Sequence, residues 1–246
     1  MTVHIFLIDF FSFPLARNKL VKWCTYQCGM SPIISLVNSY SRVLDLSVSI
    51  CITGGPLQQP IALDCPSTVY DRLPNLFQDF SGYSFIVKHF LRNFKINPSD
   101  VSLFVNSSCP PAYFKRCLDL LLDYKSTTPF LKPYCFYSPS VSYLFRSRFF
   151  WNFHPHLQSY CFMSTLSSIS LFDDFIKSLA PAFFNKKKDY IYNLEIGFSD
   201  FLLSGNYNIY LVDSHLNVHS IRNYIYILYL NIFYLFDSRL NPFAKL

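Results

Sequence analysis

A carboxylate at the entrance of a helix can point into a cleft and take a proton from a bound hydroxyl group. Glu195 stands at such an entrance, in the stretch LEIGFSDFLLSGNY at residues 194–207, and is the better base candidate of the pair it forms with Asp200, a generic surface acid being the plainer alternative. A second stretch, VSLFVNSSCPP at residues 101–111, is a buried-strand pattern that stops abruptly in Asn106, Ser107 and Ser108. Open α/β sheets bind ligands beyond the carboxyl ends of their strands, so this polar turn is placed to meet a phosphate or a metal ion. An ordinary strand-to-loop turn would read the same way.

Two further polar clusters accompany them. Arg72, Asn75 and Asp79 gather in RLPNLFQDFSGY at residues 72–83, before an amphipathic helix, with Gly82 relaxing the backbone between. A polar helix start of this kind can meet a nucleotide; helix capping by Asp79 or Ser81 is the plainer alternative. His154, His156, Gln158 and Ser159 form a polar island in FHPHLQSY at residues 153–160. The two histidines share a face only if the segment is extended. No third ligand lies close in sequence, so hydrogen bonding to a sugar or an acceptor suits His156 and Gln158 better than metal binding does, and a polar turn with no ligand reads equally well.

These residues need a scaffold, and the apolar pattern supplies one. Strand-length apolar runs at residues 3–8, 44–53, 101–106 and 209–212 alternate with helical patterns. Tyr83, Ile86, Val87, Phe90, Leu91 and Phe94 fall at helical spacing, and residues 117–124 read similarly. Short helices are expected at residues 173–179 and 195–204, the latter ended by Gly205 in the left-handed conformation. Strands alternating with helices predict an α/β fold. With no internal repeat and no linker, one domain over residues 1–246 is the expected organisation.

Composition narrows the function classes. The chain holds 27 Phe and 18 Tyr against 6 Gly, which disfavours low-complexity disorder. Its net charge of +6 is spread thinly, and the basic run at residues 186–188 is too short for a nucleic-acid tail. Mild basicity would suit a handler of diphosphates or a neighbour of anionic lipid. The eight cysteines form no paired CxxC spacing, so a zinc site is not expected. The opening MTVHIFLIDFFSF carries His4 and Asp9 and reads as a first core strand, not a signal peptide, from which cytoplasmic residence is expected. The apolar run YIYILYLNIFYLF at residues 224–236 is shorter than a membrane span. It reads as a core element, or as an interfacial segment in peripheral contact with the membrane.

Taken in order along the chain, RLPNLFQDFSGY, LFVNSSCPP, HLQSYCF, IYNLEIGFSDFLLSGNY and the terminal NPFAKL, preceded by VHIFL, resemble blocks of the rhamnan synthesis protein F family. The resemblance implies a GT-A-like, Rossmann-type mixed sheet flanked by helices. It implies a glycosyltransferase that moves a sugar, rhamnose or another deoxyhexose, from a nucleotide-diphosphate donor to a cell-surface polysaccharide or lipid-linked acceptor. By the same resemblance Asn75 and Asp79 hold the nucleotide, Asn106 and Ser108 approach the diphosphate, His156 and Gln158 orient sugar hydroxyls, and Glu195 is the base. Ile196 stands where the inverting GT-A pattern has a second acid. The NSS turn occupies the position of a DxD motif, whose carboxylates would bind Mn2+ or Mg2+; both carboxylates are absent here, which weakens the expectation of a metal cofactor. A non-catalytic sugar-binding or membrane-associated assembly protein of the same fold is the alternative.

Overall fold

The computed structural model of the protein describes residues 1–10, 23–53, 60–73, 79–126, 135–139, 141–146, 151–179, 191–205 and 207–212. The opening apolar run forms strand β1 (Val3–Phe10), followed by helix α1 (Trp23–Tyr40) and strand β2 (Leu46–Thr53). Strand β3 (Ser67–Leu73), helix α2 (Asp79–Asn93), strand β4 (Val101–Asn106) and helix α3 (Pro111–Ser126) continue the alternation. Strands β5 (Cys135–Ser138), β6 (Val141–Arg146), β7 (Trp151–Leu157) and β8 (Cys161–Thr165) come next, then helix α4 (Ile169–Ser178). A π-helical turn (Ile191–Ile196) leads into helix α5 (Gly197–Ser204), and strand β9 (Asn208–Leu211) closes the described part.

Seven strands form one sheet in the order β3-β2-β1-β4-β8-β5-β9, while β6 and β7 pair separately as an antiparallel ribbon. Strands β1 to β4 run parallel to one another. Strand β8 is antiparallel to both of its neighbours, β4 and β5, and β9 is again parallel to β5. The α/β class with a mixed, helix-flanked sheet is therefore the one expected from the sequence. Connections between parallel strands require crossovers, and α1, α2 and α3 lie in those intervals.

Alternation along the central strands sorts side chains into two cores of different character. Val3, Ile5 and Leu7 of β1, Val101, Leu103 and Val105 of β4, and Cys161 and Met163 of β8 join an aliphatic and sulfur-rich core with residues of α1 and α3. Phe6, Phe104 and Phe162 of the same strands face the other way, with residues of α2, α4 and α5. Phe104 and Phe162 stack at 4.6 Å, and Phe172 of α4 stacks on Phe104 at 5.6 Å. Each buried ring contributes roughly 1.5–3 kcal/mol by leaving water, and a well-placed aromatic pair adds about 0.5–1.5 kcal/mol. Among the described residues, the buried phenylalanines thus lie mostly on one face of the sheet.

Two glycines act differently from the sequence expectation. Gly82 lies inside α2, and a Cβ there would stand 2.8 and 2.9 Å from the Cδ1 and Cγ2 of Ile8 and 3.2 Å from Cys51 Sγ. Its role is close approach of the helix to β1 and β2, not relaxation of a loop. Gly205 has φ −82° and ψ 8°, so it is not left-handed. It is small because the Tyr207 ring lies where a Cβ would be, 2.5 Å from its Cε2. The helix ends through Gly205 N–H donating to the Phe201 carbonyl and Tyr207 N–H donating to the Leu202 carbonyl.

Asn75, the basic run at residues 186–188, the apolar run at 224–236 and the terminal NPFAKL lie outside the described residues, as do the side chains of Asp79 and His154. Among the described residues no helix is long and apolar enough to cross a membrane.

Candidate functional site

The polar turn after β4 is built by its own first residue. Asn106 is 3% exposed, and its side-chain oxygen accepts from both the backbone N–H (3.0 Å) and the hydroxyl (2.7 Å) of Ser108. Cys109 N–H donates to the Asn106 carbonyl at 3.0 Å, closing the turn immediately ahead of α3. Ser107 N–H donates to the Ile8 carbonyl at 2.9 Å, fastening the turn to the neighbouring end of β1. Ser108 is the exposed member of the three.

Because β8 runs opposite to β4, the residues just before it arrive at the edge where β4 ends. Asn106 N–H donates to the Tyr160 carbonyl at 3.0 Å. The Tyr160 ring stacks on Tyr113 of α3, with centroids 5.9 Å apart and planes 11° from parallel. Gln158 and Ser159, each 8% exposed, lie in this lead-in, and His156, 3% exposed, lies just upstream on β7. The segment is extended, as a shared face for the histidines requires.

Glu195 enters from the π-helical turn. Its Oε1 accepts from Ser159 Oγ at 2.5 Å and from Ser159 N–H at 3.4 Å. Its backbone carbonyl accepts from Ser199 Oγ at 3.0 Å, while the same Oγ accepts from Leu157 N–H at 2.9 Å. Glu195 sits within the π turn ahead of Gly197, one turn before α5 proper. The structure thus joins the Asn106–Ser108 turn, through Tyr160, to the segment whose Ser159 holds Glu195, with Gln158 and His156 lying upstream in the same stretch of chain. Asp79 starts α2, on the aromatic side of the sheet.

Several residues of this edge were not singled out as site residues by sequence reasoning. Asp9, 8% exposed, is the penultimate residue of β1, next to the Ile8 that pairs with Asn106, and Thr53, fully buried at the end of β2, donates to the Asp9 carbonyl at 3.4 Å. The sheet order turns outward on either side of β1 and β4, which is where a doubly wound sheet leaves a crevice. Tyr83, fully buried in α2, donates its hydroxyl to the Ser159 carbonyl at 2.9 Å. One compositional signal would have marked the base candidate: Glu195 is the only glutamate in the chain.

The turn supplies a divalent cation with no carboxylate of its own. Both lone-pair directions of the Asn106 side-chain oxygen are taken by Ser108, which leaves no carboxylate and no spare amide oxygen from that residue. Among the described residues no group of three or more His, Cys, Asp or Glu side chains is arranged to hold a metal ion.

No protein-family model matches the chain, and no curated protein is significantly similar to it. Among solved structures the chain is similar to a 2-C-methyl-D-erythritol 4-phosphate cytidylyltransferase from Francisella tularensis, at 10% identity and a TM-score of 0.41, over 93% of this chain and 99% of that one. It is also similar to a 4-diphosphocytidyl-2C-methyl-D-erythritol synthase, at 9% identity and a TM-score of 0.39, over 93% and 97% of the two chains.

Proposed function

We propose that the protein is a nucleotide-sugar-dependent glycosyltransferase of the rhamnan synthesis type, acting on a polysaccharide or lipid-linked acceptor with a deoxyhexose donor. The observation that carries this reading is the convergence of the Asn106–Ser108 turn with the Ser159–Glu195 pair at one edge of the sheet. A phosphate-facing turn and a carboxylate base are the two parts that sugar transfer from a diphosphate requires.

In this mechanism the donor diphosphate lies against Ser108 and the start of α3, whose helix dipole favours negative charge there. Asn106 shapes the turn, and Asp79 with Asn75 holds the nucleotide. His156 and Gln158 form the floor beneath the acceptor sugar. The Glu195 carboxylate takes the proton of the acceptor hydroxyl as its oxygen bonds to the anomeric carbon. The bond from that carbon to the diphosphate breaks, and its electron pair leaves with the diphosphate. No step is routed through a metal ion.

The test is a thermal-shift screen of the purified protein against nucleotide diphosphates and their sugars, with and without manganese, followed by a transfer assay with any donor that binds. A ligand bound only by the native state raises its apparent stability. Selective stabilisation by one nucleotide sugar, followed by release of its nucleotide diphosphate in the presence of acceptor, is the expected result. Stabilisation without turnover would make the protein a sugar-nucleotide binding module. No stabilisation by any nucleotide would remove the transferase reading.

A further inference from the structure

We infer that Ser159 is the positioning residue of this site, holding the Glu195 carboxylate at the carboxyl edge of the sheet with Tyr83 as its anchor. The inference rests on the reading of Glu195 as the base, and deepens it.

Ser159 is bonded on both sides. Its hydroxyl reaches Glu195 Oε1 at 2.5 Å, the short distance typical of a hydroxyl donating to a charged oxygen, and its backbone N–H adds a longer contact to the same atom. Its carbonyl receives the Tyr83 hydroxyl at 2.9 Å. Tyr83 is itself immobilised by its ring, which meets Phe104 edge-on at 5.1 Å, Phe162 at 5.8 Å and Phe172 at 6.0 Å. Position therefore passes from the aromatic core through a phenol and a peptide carbonyl to a hydroxyl, and from there to the carboxylate.

The backbone of Glu195 is fixed by a separate route. Ser199 Oγ bridges the Glu195 carbonyl and the Leu157 N–H, so main chain and side chain of Glu195 are both tied to residues 157–159. A glutamate has three side-chain torsions, and the Ser159 hydroxyl restrains them from the carboxylate end. Fixing a catalytic group before the reaction begins removes an entropic part of the barrier. A hydroxyl donating to a carboxylate also favours its charged form, the form a base needs. The ionisable side chains on the packed elements include His156 on β7, Asp200 on α5, Tyr83, Lys88, His89 and Arg92 on α2, Tyr160 and Cys161 at the start of β8, and Tyr192 on the π turn itself.

Because Glu195 is the only glutamate, protein grown with carboxyl-labelled carbon-13 glutamate gives a single side-chain carboxyl resonance that reports this residue alone. The full chain and its Ser159→Ala, Ser159→Thr and Tyr83→Phe variants are titrated by this signal. Ser159→Ala is expected to raise the Glu195 midpoint by about one pH unit, Ser159→Thr to restore it, and Tyr83→Phe to move it less in the same direction. An unchanged or lowered midpoint in Ser159→Ala, or in Tyr83→Phe if the alanine variant does not fold, overturns the inference. In a transfer assay, Ser159→Ala should lower kcat with little change in donor KM and move the acid limb of the pH profile upward. A raised midpoint in a protein whose wild type transfers no sugar would uphold the positioning role of Ser159 while removing the transferase reading.

Discussion

The backbone N–H of Asn106 donates to the carbonyl of Tyr160 at 3.0 Å, joining the end of a parallel strand to the lead-in of the reversed strand beside it. Through that bond the Asn106–Ser108 turn and the segment that holds the Glu195 carboxylate become one structure. The residues concerned come from β4, from the residues before β8 and from the turn before α5, and no local pattern connects them.

Asn106→Ala should loosen this edge. Both hydrogen bonds that the side-chain oxygen accepts from Ser108 disappear. Removal of one partner of a buried hydrogen bond costs about 1–3 kcal/mol. The expected outcome is a lowered unfolding midpoint in urea together with loss of any nucleotide-induced thermal shift, whereas Asn106→Asp, which keeps an acceptor oxygen, should retain most of the stability.

Glu195→Gln preserves shape and still offers an oxygen to Ser159, but it cannot take a proton. Transfer should fall by about 10^2 to 10^4 fold with the unfolding midpoint nearly unchanged. Turnover close to wild type in a radiolabelled-donor assay would exclude Glu195 from the proton-transfer step.

Gly82→Ala sets two effects of opposite sign against each other. Alanine is favoured over glycine in a helix by about 1 kcal/mol. The new Cβ, however, meets the buried Ile8 side chain at 2.8 and 2.9 Å, and overpacking a filled core costs about 1–3 kcal/mol. Net destabilisation on the order of 1 kcal/mol is expected in chemical denaturation. Gly205→Ala should cost less, because the atoms its Cβ meets belong to the half-buried Tyr207 ring, which can turn aside.

His4 makes stability depend on pH at the opposite edge of the sheet. Burial lowers its pKa below the ordinary value of 6.5, and this outweighs the raising effect of Asp100, whose carboxylate lies 3.6 Å from Nε2. The folded state thus favours the neutral ring and the unfolded state binds the proton more readily. The stability this contributes is present above about pH 6.5 and is lost as the pH falls through the folded-state pKa. Thermal midpoints recorded between pH 5 and 8 should decline on the acid side of this range, and His4→Gln should flatten that part of the curve.

Much of the scaffold was legible from residue order. The runs opening β1, β2 and β4 are apolar and bounded by turn residues, and the aromatic spacing from Tyr83 onward describes a helix whose full extent is Asp79–Asn93. The turn after β4 was legible too, because a buried apolar run that stops in Asn-Ser-Ser marks the end of a strand. The roles of Gly82 and Gly205 were not. Each is set by a partner's side chain, Ile8 in one case and Tyr207 in the other, and close approach leaves no trace in a local sequence window.

By itself, then, the sequence determined the alternation of strands and helices, since that depends on the period of apolar residues, and it marked Asn106, Ser108, His156, Gln158 and Glu195 as polar groups in apolar surroundings. Only the tertiary structure decided that the Asn106 turn adjoins the segment that holds Glu195. The reversal of β8 carries Ser159 and Tyr160 to the edge where β4 ends, and the fastening of Ser159 to Glu195 and Tyr83 follows from that reversal. Strand direction within a sheet depends on pairings between residues far apart in the chain, and the local apolar period is the same for either direction.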